Sequence, residues 1–186
     1  MRASAFIKTA HPKKEIKVDI SAFRRILEEG WWGQCKIHGH RAQIHLSANP
    51  AEKCLAFNRH GQLHAKELDT EIITELRRIL DLQKGWSAIE AEWLKPEKKL
   101  FLFDYIKAND VILATLGYEE RYQLLPRAYL SPHIATLAVL RTAEDCMAVI
   151  RDPAAHIEGL LFKSRFSQGF SNHSMIRCRK SATRLQ

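Results

Sequence analysis

Residues 34–46 read QCKIHGHRAQIHL, and this stretch decides the fold expected for the chain. From Ala42 to Leu46 every second residue is apolar, which is typical of a half-buried β-strand. The glycine at position 39 interrupts the run and predicts a tight bend just before that strand. Lys36 therefore lies on the segment that leads into the bend.

The residues around this bend suit nucleophilic chemistry on a phosphate. At Gly39 the backbone can take a positive φ and let a phosphate approach, while Arg41 supplies a fixed cation for it. Lys36 would be the covalent nucleophile. A solvent-exposed hairpin without chemistry often carries the same residue types at this spacing, so the stretch by itself leaves both interpretations open.

The composition predicts one globular, basic unit. The chain has 186 residues, 46% of them hydrophobic, which is enough for one core and leaves no room for a large second domain. A formal net charge of +8 and a pI of about 9.5 favour a polyanionic partner such as a nucleic acid. No Asp or Glu follows Glu158, whereas six Lys and Arg residues do, so the C-terminal segment is purely cationic.

The cysteines and the N-terminal residues predict a soluble, cytoplasmic protein. The four cysteines are widely spaced without a CxxC pair, which indicates reduced thiols rather than a zinc ribbon or a disulfide framework. Residues 1–20 form a basic arm that contains neither a signal peptide nor a membrane span. This arm could be an edge strand or a mobile segment. We expect a monomer.

Strands and helices are predicted along the rest of the chain. Helices are expected over 21–29 with Ser21 as N-cap, 69–82 with Asp69 as N-cap, 118–125, and 142–150 with Thr142 as N-cap. Further strands are expected at 16–18, 53–58, 88–94, 100–106, 131–139, 157–163 and 174–180. The two-residue period places Arg177 and Arg179 on one face of the last strand.

Two carboxylates share a face of the strand predicted at 88–94. Glu90 and Glu92 point the same way because side chains alternate along a strand. Like charges so close repel each other unless something compensates them. A metal ion, a ribose hydroxyl or an arginine would do so, and a solvated strand edge would also account for the pair.

Taken in this order, the motifs resemble those of the covalent nucleotidyltransferases, which include ATP-dependent DNA ligases, RNA ligases and mRNA capping enzymes. The motifs are KIHGHR at 36–41, FNRHG at 57–61, EAE at 90–92, LFDY at 102–105, EGLLFK at 158–163 and IRCR at 176–179. The resemblance covers about residues 30–180. It implies a single adenylation domain over 1–186 with an α+β fold, in which antiparallel sheets flanked by helices enclose a nucleotide groove.

The resemblance implies an ATP-dependent polynucleotide ligase that seals nicked or broken DNA or RNA. Lys36 would attack the α-phosphate of ATP to give lysyl-AMP, and the AMP would then activate a 5′-phosphate for attack by a 3′-hydroxyl. Glu158 and Glu92 would hold Mg²⁺ or Mn²⁺, and Phe103 would stack on adenine. Nucleotide and phosphate contacts are expected from Gln34, Arg41, Arg59, Glu92, Phe103, Lys163, Arg177 and Arg179.

The sequence departs from the family pattern in three ways. His38 stands where DNA ligases usually have aspartate, which is similar to certain phage RNA ligases and leaves DNA and RNA both open. Arg177 and Arg179 replace lysines, and an arginine neutralises phosphate without donating a proton near neutral pH. We expect no C-terminal OB-fold, so that a partner could supply such a domain.

Three alternatives remain open at this point. A catalytically inactive module could keep the fold and the basic surface and bind nucleic acid without chemistry. A capping guanylyltransferase would use GTP in place of ATP. Finally, Cys35, His38, His40 and His45 could contribute to a metal site, although no second cluster completes it.

Overall fold

The computed structural model of the chain describes residues 4–170 and 174–180. The strands in this part are β1 (Lys14–Glu15), β2 (Trp31–Ile37), β3 (His40–Ser47), β4 (Leu55–Phe57), β5 (Trp86–Leu94), β6 (Lys99–Ala108), β7 (Val111–Ile112), β8 (Ile134–Thr136), β9 (Ile157–Ser164) and β10 (Met175–Arg179). The helices are α1 (Ile20–Glu28), α2 (Thr70–Ile79), α3 (Tyr118–Gln123) and α4 (Ala143–Arg151). This is the predicted α+β fold.

The strands form two sheets, and the described chain passes between them twice, from β2 to β3 and from β8 through α4 to β9. The smaller sheet has the order β1-β10-β9-β2, and the larger has the order β4-β3-β5-β6-β7 with β8 paired to β6. The pairs are antiparallel except for β1 with β10 and β6 with β8, which are parallel. Strands β2 and β3 follow each other directly but belong to different sheets. The turn at residues 38–39 therefore joins the two sheets.

Each sheet is backed by helices and has its own hydrophobic core. In the larger sheet, Ile72 and Leu76 of α2 pack with the buried residues of β3, β5 and β6. In the smaller sheet, Phe23 of α1 and Cys146 of α4 pack with Leu160 and its neighbours on β9. The opposite faces of the two sheets turn toward each other, and polar side chains can gather there.

The helix N-termini agree with the sequence patterns in part. Thr142 caps α4 as predicted, with its hydroxyl accepting the backbone N–H three residues further on at 3.1 Å. The predicted cap of α1 is wrong: Asp19 occupies the extended N-cap position and accepts the N–H of Ser21 at 2.9 Å. Asp69 stands at the N-cap of α2 but makes no capping bond, because its carboxylate faces Lys98 at 3.4 Å.

Two predicted strands are shorter in the structure. The strand expected at 53–58 covers only 55–57, and the one expected at 131–139 covers only 134–136. The second is shortened because the Ser131 hydroxyl accepts the N–H groups of His133 and Ile134, which makes a local turn. Part of the loop predicted over 164–173 and the tail with Arg184 lie outside the described residues.

The N-terminal residues are packed on the body of the protein. Lys14 and Glu15 form an edge strand that starts two residues before the strand expected at 16–18. Of the two forms expected for the basic arm, an edge strand or a mobile segment, this part is an edge strand. Before it, the Ile7 backbone donates to Gln43 Oε1 and accepts from Gln43 Nε2, both at 2.8 Å. A side chain of the larger sheet thus fixes the N-terminal segment (residues 4–13). Within the described ranges, no helix is long and apolar enough to span a membrane.

Candidate active site

A cavity of about 870 Å³ lies between the two sheets, within the size range of small-molecule sites. All the residues proposed for the site from the sequence line it: Gln34, Lys36, Arg41, Arg59, Glu92, Phe103, Glu158, Lys163, Arg177 and Arg179. The alternation along the strands explains this convergence. Leu160 and Phe162 of β9 face the core, so that Leu161 and Lys163 face the cavity.

Lys36 lies in an ion-pair network that joins three strands of the smaller sheet. Its Nζ is 2.5 Å from Glu158 Oε2, and Arg179 Nε is 2.9 Å from Glu158 Oε1. Burial by itself would raise the pKa of Glu158, but the hydrogen bonds and charges of Lys36 and Arg179 lower it below its usual value. The Glu158 carboxylate is therefore ionised and holds the lysine at the cavity wall.

The glycine at the bend is needed for close packing. The predicted positive φ at Gly39 is wrong, since the positive-φ glycines of the described chain lie elsewhere. A Cβ on Gly39 would lie 3.0 Å from the Trp93 carbonyl oxygen and 3.0 Å from Leu94 Cδ2. The Gly39 N–H also donates to Glu92 Oε1 at 3.1 Å. The bend is thus pressed onto β5, which brings Lys36 and Glu92 to one wall.

Glu92 has an unusual protonation equilibrium. Burial raises its pKa to about 7, even though Lys36, Arg41 and the Gly39 N–H all act to lower it. A carboxyl with this pKa exchanges its proton near neutral pH. It can therefore accept a hydrogen bond from a hydroxyl or, when ionised, bind a cation.

Arg41 is engaged within the protein. Its Nε donates to Glu90 Oε2 at 2.7 Å, and its terminal nitrogens donate to Thr9 Oγ1 and the Ala10 carbonyl, each at 2.8 Å. Glu90 is buried, and of the compensating groups that the sequence left open, the one beside it is an arginine, Arg41. Most of the Arg41 N–H donors are already used in these bonds. The arginine is therefore better placed to hold the N-terminal segment than to bind a free phosphate, and its phosphate-binding role stays a prediction.

Phe103 reaches the cavity through a β-bulge. Glu90 pairs with Asp104 and the next residue, Ala91, pairs with Leu102, so Phe103 has no partner on β5. A bulge re-aims the side chain at the extra residue. The cavity-facing aromatic ring predicted from the sequence thus has a local structural cause.

Lys163 lies deep in the cavity as a buried amine. It is 2% exposed, and its Nζ is 4.3 Å from the Phe103 ring centroid and 3.3 Å from Tyr118 Oη. Burial lowers its pKa to about 7, against the opposing attraction of Asp104. A protonated Lys163 would bind an anion here, and a neutral one could accept a proton.

Beneath Lys163 lies a buried ion pair that the sequence analysis missed. Arg121 binds Asp104 in bidentate fashion, with N–O distances of 3.0 and 3.1 Å. Tyr118, on the same face of α3, donates to Gln34 Oε1 at 2.8 Å and so orients the predicted site residue Gln34. The spacing of three residues between Tyr118 and Arg121 is the signal that could have revealed both.

The mouth of the cavity carries the remaining predicted cations. Arg177 is paired with Glu15 at 2.7 Å, which ties it to the edge strand. Arg59 is exposed on the turn after β4 and donates to its neighbour His60 at 2.9 Å. The N-terminal segment adds lining residues that no sequence motif marked, namely Phe6, Lys8, Thr9, His11 and Pro12.

The carboxylates of the cavity suit magnesium better than zinc. No cluster of three or more His, Cys, Asp or Glu side chains that could hold a metal is present in the described ranges. Mg²⁺ commonly needs only one or two protein carboxylates together with substrate phosphates, a demand that Glu158 and Glu92 can meet. The proposed zinc ligand His45 is instead buried, bonded to Ser4 and Gln43, and burial lowers its pKa to about 4.

Comparisons with known proteins identify the fold. No family model matches the sequence, and no curated protein matches it significantly. Among solved structures, the ligase domain of M. tuberculosis LigD matches with a TM-score of 0.55 and 15% identity, over 92% of this chain and 57% of that chain. An archaeal ATP-dependent RNA ligase matches with a TM-score of 0.53 and 16% identity, over 92% of this chain and 48% of that one. The structure named Pmar-Lig_PreS3 matches with a TM-score of 0.56 and 15% identity, over 89% of this chain and 46% of that chain.

At these identities the similarity shows a shared fold. The chain therefore shares its fold with the LigD ligase domain and with a part of the archaeal ATP-dependent RNA ligase. It spans about half the length of the structures that it matches.

The Arg121–Asp104 pair gives a test of the cavity floor. Replacing Arg121 with Leu leaves a buried carboxylate without its cation, so we expect a loss of about 3–5 kcal/mol in the free energy of unfolding. Urea denaturation followed by circular dichroism measures this loss. The double variant Arg121→Leu/Asp104→Leu should recover most of it, and a single variant as stable as the wild type would contradict the assignment.

The pKa of Glu92 gives a second test. The pKa of Glu92 is higher in the folded than in the unfolded protein, so protonated Glu92 stabilises the fold relative to the ionised form. This stabilisation is lost as the pH rises toward and through about 7. Glu92→Gln removes the cost of burying an ionised carboxylate. The free energy of unfolding of the variant relative to wild type should therefore increase from pH ~5 to pH ~8. Urea titrations across this range measure the difference.

The matched control for this test is Glu144→Gln on the exposed face of α4. The pKa of Glu144 is lowered by its hydrogen bond with Arg24, so the relative stability of the control should stay flat over the same pH range. A flat profile for Glu92→Gln as well would show that Glu92 is not held in the protonated form.

Proposed function

We propose that this chain is the adenylation domain of an ATP-dependent polynucleotide ligase and that Lys36 forms a covalent lysyl-AMP. The observation that carries the proposal is the position of Lys36: its Nζ lies against Glu158 in a nucleotide-sized cavity whose walls also carry Arg177 and Arg179. The shared fold with ATP-dependent DNA and RNA ligase domains supports it.

In the first step the Lys36 amine attacks the α-phosphorus of ATP. The N–P bond forms, the bond between the α-phosphorus and the bridging oxygen breaks, and pyrophosphate leaves. The amine must lose a proton to water before it attacks, and the ionised Glu158 carboxylate, 2.5 Å away, holds it in position. Arg179 and Arg177 face the same cavity and stabilise the negative charge that builds on the α-phosphate.

The remaining residues of the cavity would hold the nucleotide. Phe103 offers a face for the adenine ring, and Gln34 is fixed by Tyr118 near the same floor. Glu92 can accept a hydrogen bond from the ribose. Glu158 and Glu92 would hold Mg²⁺ or Mn²⁺, which when bound neutralises phosphate charge.

In the later steps the AMP passes to the 5′-phosphate of a nucleic-acid strand, and a 3′-hydroxyl displaces it to seal the strand. The basic character of the chain favours this polyanionic substrate. RNA is a specific candidate beside DNA, since His38 follows the pattern of certain phage RNA ligases and an archaeal RNA ligase shares the fold.

Labelling with α-labelled ATP tests the first step. Wild-type protein with Mg²⁺ should acquire the label, and Lys36→Ala should lose it entirely because no amine remains to form the bond. Lys53→Ala is the matched control: Lys53 is an exposed lysine paired with Glu67 outside the cavity, and its variant should label like the wild type.

An unlabelled wild-type protein would contradict the proposal. If that protein still bound nucleic acid in a salt-sensitive manner, an inactive binding module would be the correct interpretation. Labelling from GTP in preference to ATP would indicate a guanylyltransferase. Joining assays on nicked DNA, nicked RNA and hybrid duplexes then identify the strand that is sealed.

A further inference from the structure

An aromatic pair lies outside the nucleotide cavity and has no role in the proposed chemistry. Phe101 on β6 and His156, just before β9, stack with ring centroids 6.0 Å apart and an interplanar angle of 22°. We propose that this pair, together with Lys99, is a stacking platform for an unpaired base at the 5′ end of the nucleic-acid strand. The assignment of the strand end rests on the proposed function.

The platform lies beside the catalytic wall. Phe101 pairs directly with Glu92 across β5 and β6, so the two side chains emerge on the same face of the sheet. On the other side, the backbone of His38 donates to the His156 carbonyl at 2.8 Å. His38 in turn lies 3.6 Å from Glu158, the partner of Lys36. A nucleotide whose phosphate reaches Lys36 would therefore place its base within reach of the platform.

The chemistry of the platform suits a nucleobase. His156 is exposed and Phe101 is half-buried, so solvent reaches part of the ring pair. Lys99 Nζ lies 5.7 Å from the Phe101 ring centroid and has no acidic partner among residues 4–170 and 174–180. Proteins that hold single strands combine such aromatic faces with nearby cations, because every base has a π-face and every linkage a charge.

The charge around the platform suits a polyanion, and the aromatic pair beside it suits the bases of a nucleic acid. The turn that connects β5 and β6 spans residues 95–98 and contains two lysines and one glutamate, and Lys99 follows as the first residue of β6. Lys95 lies over the Trp93 ring, 5.0 Å from its centroid, but Trp93 is buried in the core of the larger sheet and is not part of the platform. A single stacked ring pair can extend its stack by one base, which fits a terminal nucleotide.

Fluorescence of 2-aminopurine tests the platform on the whole chain. The probe is a short 5′-phosphorylated single strand, as DNA and as RNA, with 2-aminopurine at the 5′-terminal position. Binding should quench the fluorescence through stacking, and the same base at the 3′ end should show no quench. Saturating AMP, which competes for the Phe103 pocket, should leave the quench in place; a quench that AMP abolishes would assign the base to that pocket and overturn the proposal.

Variants distinguish base stacking from a purely structural contact between Phe101 and His156. Phe101→Leu and His156→Ala should each weaken binding of the single strand at least about fivefold, whereas Phe101→Trp keeps the aromatic face and should bind like the wild type. The matched control is Phe166→Leu, an exposed aromatic outside the cavity and the platform. His156 is exposed, so its variant should fold normally and label from ATP like the wild type.

Two results keep the inference distinct from the proposed function. An unlabelled wild type would overturn the ligase chemistry, while the position-dependent quench and the variants would still report on the platform. Normal labelling together with wild-type strand binding by Phe101→Leu and His156→Ala would overturn the platform alone.

Discussion

The close approach of Gly39 to the backbone of β5 is the constraint on which the rest of the site depends. Strands β2 and β3 belong to different sheets, and only two residues connect them. Because Gly39 has no side chain, the connection can lie against Trp93 and donate to Glu92. The seam between the sheets is therefore narrow, and Lys36 lies at its edge. A residue with a Cβ would meet the Trp93 carbonyl oxygen at 3.0 Å, so the seam would have to shift by a few tenths of an ångström.

Electrostatic balance divides the charged groups of the cleft into two classes. Glu90 and Asp104 are buried against dedicated arginine partners, Arg41 and Arg121; burial still raises the pKa of Asp104, whereas Arg41 outweighs burial and lowers the pKa of Glu90. Glu92 and Lys163 are also shielded from water, but burial outweighs their partners, so that both pKa values are about 7. One acid and one base with matched pKa values can each hold either protonation state during a reaction.

Local patterns predicted the parts of the site that lie on strands. The two-residue period was sufficient to place Arg177 and Arg179 on the cavity side of β10, with Ile176 and Cys178 in the core. The N-terminal segment could not be found this way, because its position depends on contacts such as Ile7 with Gln43, 36 residues away. The bulge at Phe103 is likewise set by pairing between strands, although the residue itself was identified from its motif.

The pairing of β1 with β10 joins the first and last described strands of the chain as neighbours in the smaller sheet. Lys14 lies next to Ile176, so this contact spans most of the chain. During synthesis the N-terminal strand must wait until residue 176 has left the ribosome. Arg177 and Arg179 reach the cleft at the same moment, so the nascent chain cannot assemble its reactive centre ahead of its fold. Such long-range closure also makes slow folding an inherent property of this topology.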